Sequence, residues 1–256
     1  VPGRIFRGVA LVLAGALVLI GTELFLALRR DYIKKDPAGQ IKGVFGQGSD
    51  PPLRFVVLGD STSVGLGTTP DHSFPWVLAQ RLGEHFKTEL TVLGRSGAVT
   101  ADVADLQTPQ AVALKPDLVL IEIGANDATH ATRITSVRTK MEKSLDALIA
   151  TGATVVVAGP PDMGTSRAFA EPLRSLSGFN GRRVGRAIEA AAAARRLSFI
   201  ELAQATAKYF EDEPQRHYGS DGFHPSAAGY ARWADAMFPK LLKAAESARR
   251  SAAGPP

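Results

Sequence analysis

Leu53-Arg54-Phe55-Val56-Val57-Leu58-Gly59-Asp60-Ser61, residues 53–61, decides the fold. Its first seven residues are an apolar, β-branched and aromatic run without proline, the pattern of a strand buried on both faces. The run ends in Gly-Asp-Ser, followed by Thr62-Ser63 and a turn containing Gly65 and Gly67. Downstream the same unit recurs. Apolar runs at 91–94 (TVLG), 117–124 (DLVLIEIG), 153–159 (ATVVVAG) and 198–202 (SFIEL) alternate with helical stretches around 74–86, 136–151, 178–196 and 226–247. Strands that are apolar throughout and separated by helices predict a doubly wound α/β domain over 53–247, a parallel sheet covered on both faces. Such sheets bind ligands beyond the carboxyl ends of their strands, so the residues directly after each strand are the ones to inspect.

Composition narrows the chemistry. The chain has no cysteine, which excludes disulfide frameworks, thiolate catalysis and cysteine-ligated metals but leaves the compartment open. A length of 256 residues, 45% of them hydrophobic, suits one catalytic domain plus a short extra segment. The net charge of +5 raises the question of nucleic acid, yet six basic residues against three acidic ones fall within 1–36, leaving the domain close to balanced. Arg182-Arg183, Arg195-Arg196 and Arg249-Arg250 sit at helix faces and ends, where charge is ordinarily solvated, so no nucleic-acid partner is expected. His72, His85, His130 and His217 lack paired ligand spacing, and no metal is expected. Gly65-Leu66-Gly67 lacks the third glycine of a dinucleotide turn and no phosphate-loop Gly-Lys-Ser/Thr occurs, so no cofactor is expected either.

Residues 9–28, VALVLAGALVLIGTELFLAL, form an apolar run long enough to cross a bilayer. Flanked by Arg29-Arg30 rather than a small-residue cleavage site, the run suggests an uncleaved transmembrane helix within an anchor over 1–35, and hence a single-pass membrane protein. Arg4 and Arg7 precede it while Arg29, Arg30, Lys34 and Lys35 follow, so the charges leave the side of the membrane open. Residues 36–52, rich in Gly, Pro, Gln and Asp, are expected to be a linker, and 248–256 a disordered tail.

Four strand ends and loops carry polar residues of the types used in acyl transfer. Ser61 follows the first strand, Gly97 follows the second in Arg95-Ser96-Gly97, and Gly124-Ala125-Asn126-Asp127 follows the third. An unobstructed backbone N–H at a glycine and an asparagine amide are both oxyanion-hole parts. In Ser220-Asp221-Gly222-Phe223-His224-Pro225 a carboxylate stands three residues before an imidazole, a spacing that lets Asp221 accept the Nδ1 hydrogen and leave Nε2 for a serine proton. Each motif alone is ordinary turn chemistry. Together they place nucleophile, base, orienter and donors at loops expected on one edge of one sheet. Phe169, Leu173 and Leu176, at helical spacing, with Phe179 and Phe223, are expected to pack on the core, with a lid over an acyl pocket as the alternative.

From about Leu53 to Pro239 these motifs resemble the SGNH, or GDSL, hydrolase family: Gly59-Asp60-Ser61, Gly97, Gly124-x-Asn126-Asp127 and Asp221-x-x-His224 match its four blocks in order and spacing. The resemblance implies a three-layer α/β/α, flavodoxin-like fold. It also implies a triad of Ser61, His224 and Asp221, and an oxyanion hole from the Ser61 N–H, the Gly97 N–H and the Asn126 side chain. One departure is Val92-Leu93-Gly94, where many relatives carry an asparagine shortly before the second-block glycine. The expected activity is hydrolysis of carboxylic esters by a membrane-tethered serine esterase or lipase acting on a small-molecule, lipid or glycan ester. The alternatives are acyl transfer or deacetylation on a glycan or lipid by the same triad, or a silent binding protein.

Overall fold

The computed structural model describes the backbone of residues 2–29 and 41–253. Among these residues, six strands form one sheet: β1 (Lys42–Phe45), β2 (Leu53–Gly59), β3 (Thr88–Val92), β4 (Leu118–Glu122), β5 (Thr154–Ala158) and β6 (Ser198–Ile200). They lie in the order β1-β3-β2-β4-β5-β6. The last five in sequence are mutually parallel, and their spatial order is that of flavodoxin-like sheets. β1 differs: it pairs antiparallel with β3, Lys42 opposite Thr91 and Phe45 opposite Thr88, so the sheet is mixed rather than wholly parallel.

The apolar continuity of β2 has a direct structural cause. Leu53, Phe55 and Val57 enter one core while Val56 and Leu58 enter the other, so neither face tolerates water. The first core is closed by α2 (Phe74–Gly83), α8 (Leu202–Asp212) and α10 (Ala227–Ala253), which contribute Leu78, Phe210, Tyr230 and Trp233. The second is closed by α6 (Ile134–Ile149) and α7 (Leu173–Ala193), through Met141, Leu145, Val184 and Ile188. Each fully buried Val, Leu, Ile or Phe contributes about 1.5–3 kcal/mol to such layers. Arg54, the one charge in the β2 run, lies at the sheet edge remote from Ser61 and forms a two-pronged ion pair with Asp117 at 2.6 and 3.0 Å.

Shorter elements shape the loops between strands. After β3 come α3 (Thr100–Asp102), a π-helical turn (Val103–Gln107) and α4 (Thr108–Ala113); α5 (Ala125–Thr129) follows β4, and α9 (Pro214–His217) precedes the last loop.

Three expectations change. The 36–52 stretch is not all linker, since Lys42–Phe45 hydrogen-bonds along β3; residues 36–40 lie outside those described. The tail expected over 248–256 is helical to Ala253 as the end of α10, and 254–256 lie outside the described residues. The expected transmembrane anchor is also overturned. Pro2–Arg29 forms a helix, α1, but among the described residues no helix is long and apolar enough to cross a membrane. The single-pass membrane localisation inferred from the apolar N-terminal run falls with it. Residues 30–35 of the expected anchor lie outside those described.

Candidate active site

The switch point of this sheet lies between β3 and β4, on either side of β2, and the residues after these strands converge there. β2 is fixed at its end by Gln107, whose amide accepts from the Gly59 N–H at 2.9 Å and donates to the Gly59 carbonyl at 2.8 Å. The chain then turns sharply. Asp60 Oδ1 accepts from the Thr62 N–H at 2.9 Å, Ser63 Oγ donates to the Asp60 carbonyl at 2.7 Å, and the Leu66 N–H closes onto the Ser61 carbonyl at 3.0 Å. This knotted loop holds the Ser61 hydroxyl at the edge of the sheet, 6% exposed.

The partners of Ser61 arrive from the far end of the chain. Asp221 Oδ1 accepts from the N–H groups of Phe223 and His224 at 2.9 and 3.0 Å, which folds the Asp-x-x-His loop around its own carboxylate. Its other oxygen meets His224 Nδ1 at 2.6 Å, and His224 Nε2 lies 2.9 Å from Ser61 Oγ. Burial opposes ionisation of Asp221. The His224 ring and the two backbone donors outweigh it and bring the carboxyl down to about 2. An ionised Asp221 requires the hydrogen on Nδ1, which leaves the Nε2 lone pair facing the serine hydroxyl.

The expected donors occupy the other side. Gly97 has φ of +77°, a backbone region that L side chains rarely adopt, and no atom within 4 Å of an added Cβ. Glycine stands there for conformation, not for space. Among the described residues the N–H groups of Ser61 and Gly97 have no hydrogen-bond acceptor. Asn126, in the first turn of α5, donates to the Ala98 carbonyl at 2.9 Å and more weakly to Asp60 Oδ2 at 3.4 Å. Asp127 next to it accepts from the N–H and hydroxyl of Thr100 at 2.9 and 2.8 Å, tying α5 to the Gly97 loop. The departure at Val92-Leu93-Gly94 has a packing reason: a Cβ on Gly94 would collide with Ser63 Oγ, so the loop after β3 lies directly on the loop after β2.

The five sequence-predicted residues, Ser61, Gly97, Asn126, Asp221 and His224, thus fall on loops at one edge of the sheet. Supporting side chains were not foreseen. Gln107, Thr100, Thr62 and Glu122 all touch this region; of these, Glu122 gave a readable signal, a charge ending the otherwise apolar 118–122 run.

The surroundings are aromatic and shallow. Phe223 packs edge-on against His224 at 5.1 Å and against Phe169 at 5.8 Å. A cavity of about 20 Å³ bordered by Thr62, Phe223, Tyr218 and Trp233 lies alongside, room for little more than one water. Leu176 and Phe179 are exposed, 45% and 51%, while Gly178 and Gly181 of the same helix are buried; of the residues expected to pack on the core, Phe223 does and these two do not.

Known proteins similar to this chain are GDSL-type esterases and acylhydrolases. Residues 57–232 match the model of the GDSL-like lipase/acylhydrolase family. A GDSL-like esterase of Mycobacterium tuberculosis is 31% identical over 264 residues, covering 92% of this chain and 83% of that protein. An arylesterase of Vibrio mimicus is 31% identical over 115 residues, 43% of this chain and 58% of its own. The crystal structure of a lipase/acylhydrolase from Enterococcus faecalis superposes with a TM-score of 0.59 at 22% identity over 77% of this chain and 96% of that one, a likeness of fold.

Proposed function

The chain belongs to the GDSL-like lipase/acylhydrolase family, and from that premise we propose that it hydrolyses carboxylic esters with Ser61 as nucleophile, His224 as base and Asp221 as orienter. The observation that carries this reading is the unbroken chain from Ser61 Oγ to His224 Nε2 at 2.9 Å and from His224 Nδ1 to Asp221 at 2.6 Å.

His224 Nε2 takes the hydroxyl proton as Ser61 Oγ attacks the ester carbonyl. The oxyanion that forms is met by the N–H groups of Ser61 and Gly97 and by the Asn126 amide. Collapse expels the alcohol, which leaves with the proton held on His224. Water then gives a proton to His224, attacks the acyl-serine carbonyl and releases the acid, regenerating Ser61. Asp221 stays ionised throughout, stabilising the imidazolium and fixing its tautomer. The aromatic pair Phe169 and Phe223 beside His224 offers an apolar surface to the substrate.

The test is a p-nitrophenyl ester series from acetate to decanoate with the full chain and its Ser61→Ala variant. Hydrolysis within the series that is absent in S61A is the expected result. Equal rates for S61A would contradict the nucleophile.

A further inference from the structure

Behind the loop that carries Ser61 lies a buried acid with no role in the steps above. We propose that Glu122 is a protonated positioning residue for the oxyanion hole: it donates to Thr62 Oγ1, which commits the Thr62 hydroxyl hydrogen to Asp60, whose other oxygen orients the Asn126 amide.

One hydroxyl faces two buried carboxylates. Thr62 Oγ1 lies 2.9 Å from Asp60 Oδ1 and 2.5 Å from Glu122 Oε2. A hydroxyl has one hydrogen and can satisfy one carboxylate. Two ionised carboxylates facing the same hydroxyl would leave one of them buried and unpaired, at 0% exposure for both Asp60 and Glu122. A proton on one of the two removes the conflict, since that acid then donates to Thr62 while Thr62 donates onward.

Glu122 is the one that carries it. Asp60 already accepts from the Thr62 N–H at 2.9 Å and from Asn126 at 3.4 Å. Among the described residues Glu122 Oε1 has no hydrogen-bond partner. An unpartnered oxygen is far less costly on a neutral acid than on a carboxylate. Burial, and then the charge of Asp60, push the Glu122 carboxyl well above its ordinary value. The titratable groups that act on this pair are His224 and Asp127, both felt by Asp60, and Tyr230 of α10, which is itself engaged by its hydroxyl with the Leu66 carbonyl at 2.6 Å.

The consequence reaches the reaction through Asn126. One hydrogen of its amide is held by Ala98; the other has only the long contact to Asp60, so it is the one free to turn toward an oxyanion. An Asp60 supplied by Thr62 grips that hydrogen weakly. An Asp60 deprived of Thr62 would pull the amide toward itself.

This rests on the oxyanion role proposed for Asn126, and a double-mutant cycle separates the two. Asn126→Ala alone tests that role by a fall in kcat of about 10²–10³. Glu122→Leu is expected to lower kcat about three- to tenfold with KM unchanged, the range one hydrogen bond supplies, and to cost much less in the N126A background. Glu122→Gln, neutral and able to donate, should keep wild-type kcat. An infrared spectrum of the full chain at neutral pH should contain a protonated-carboxyl band that E122Q lacks. Thermal unfolding of E122L establishes that it is folded; should it not fold, Thr62→Val enters the same cycle. Absence of the acid band, wild-type kcat in folded E122L, strict additivity with N126A, or an E122Q as impaired as E122L would each overturn the proposal.

Discussion

Asp221→Asn changes one atom of the site and leaves its loop intact. The retained oxygen continues to accept from the N–H groups of Phe223 and His224. The amide nitrogen, however, replaces an acceptor 2.6 Å from His224 Nδ1, so two donors face each other unless the ring moves its hydrogen to Nε2. That tautomer cannot take the Ser61 proton, and a fall in kcat of about 10⁴ is expected, as for other triads with the wrong tautomer. Stability changes too. Asp221 is held at about 2 against an ordinary 3.8, a difference worth at most about 2 kcal/mol, with part of it present only when His224 is charged. Because the folded value is the lower one, this contribution is complete above the unfolded value and disappears as pH falls from about 4 toward 2. In a chain of this size 2 kcal/mol corresponds to about 4–8 °C in Tm. Steady-state hydrolysis of p-nitrophenyl acetate measures the first effect; urea unfolding of wild type and D221N at several pH values from 7 to 3 measures the second. A D221N enzyme within tenfold of wild-type kcat, or a stability gap that widens as pH drops, would refute the reasoning.

Gly97→Ala places an L side chain at φ of +77° in open space, so it strains the loop by about 1–2 kcal/mol without a collision. Its kcat should fall about 10–100-fold as the N–H shifts from the oxyanion, while urea unfolding shows a folded protein; unchanged kcat would remove Gly97 from the site. For Glu122→Gln the sign of the stability change follows from burial. The folded chain keeps a proton that the unfolded chain releases above its ordinary 4.5, so wild-type stability declines as pH rises past that value and E122Q does not share the decline. Denaturation from pH 4 to pH 8 should show E122Q gaining over wild type with pH; a flat or reversed trend contradicts a neutral Glu122.

The parallel strands β2, β4 and β5 were legible because they are nearly continuous apolar runs whose two faces both meet core, and the candidate site was legible because Ser61, Gly97 and Asn126 sit in glycine-bearing turns after strands while Asp221 and His224 share one short Asp-x-x-His loop. What was not legible depended on distant partners. β1, Lys42-Gly43-Val44-Phe45, has no pattern of its own and is a strand only because the edge of β3 pairs with it. The π-helical turn that brings Gln107 to Gly59 breaks helical periodicity, and only the meeting with β2 gives that glutamine a purpose. Asp60 is an ordinary turn residue in sequence; that its carboxylate links Thr62 to Asn126 is a property of three loops at once. The exposed Leu176 and Phe179 were misread because the first turns of α7 are buried through Ser177, Gly178 and Gly181 rather than through their larger side chains.

The central claim is that Ser61 is the nucleophile of an acyl-enzyme. Incubating the full chain with a fluorophosphonate, digesting it and locating the adduct by mass spectrometry tests that most directly. One adduct is expected, on Ser61, formed in step with loss of esterase activity and slowed by Asp221→Asn. An unmodified Ser61 in protein that has lost activity, or an adduct on another residue, would contradict it.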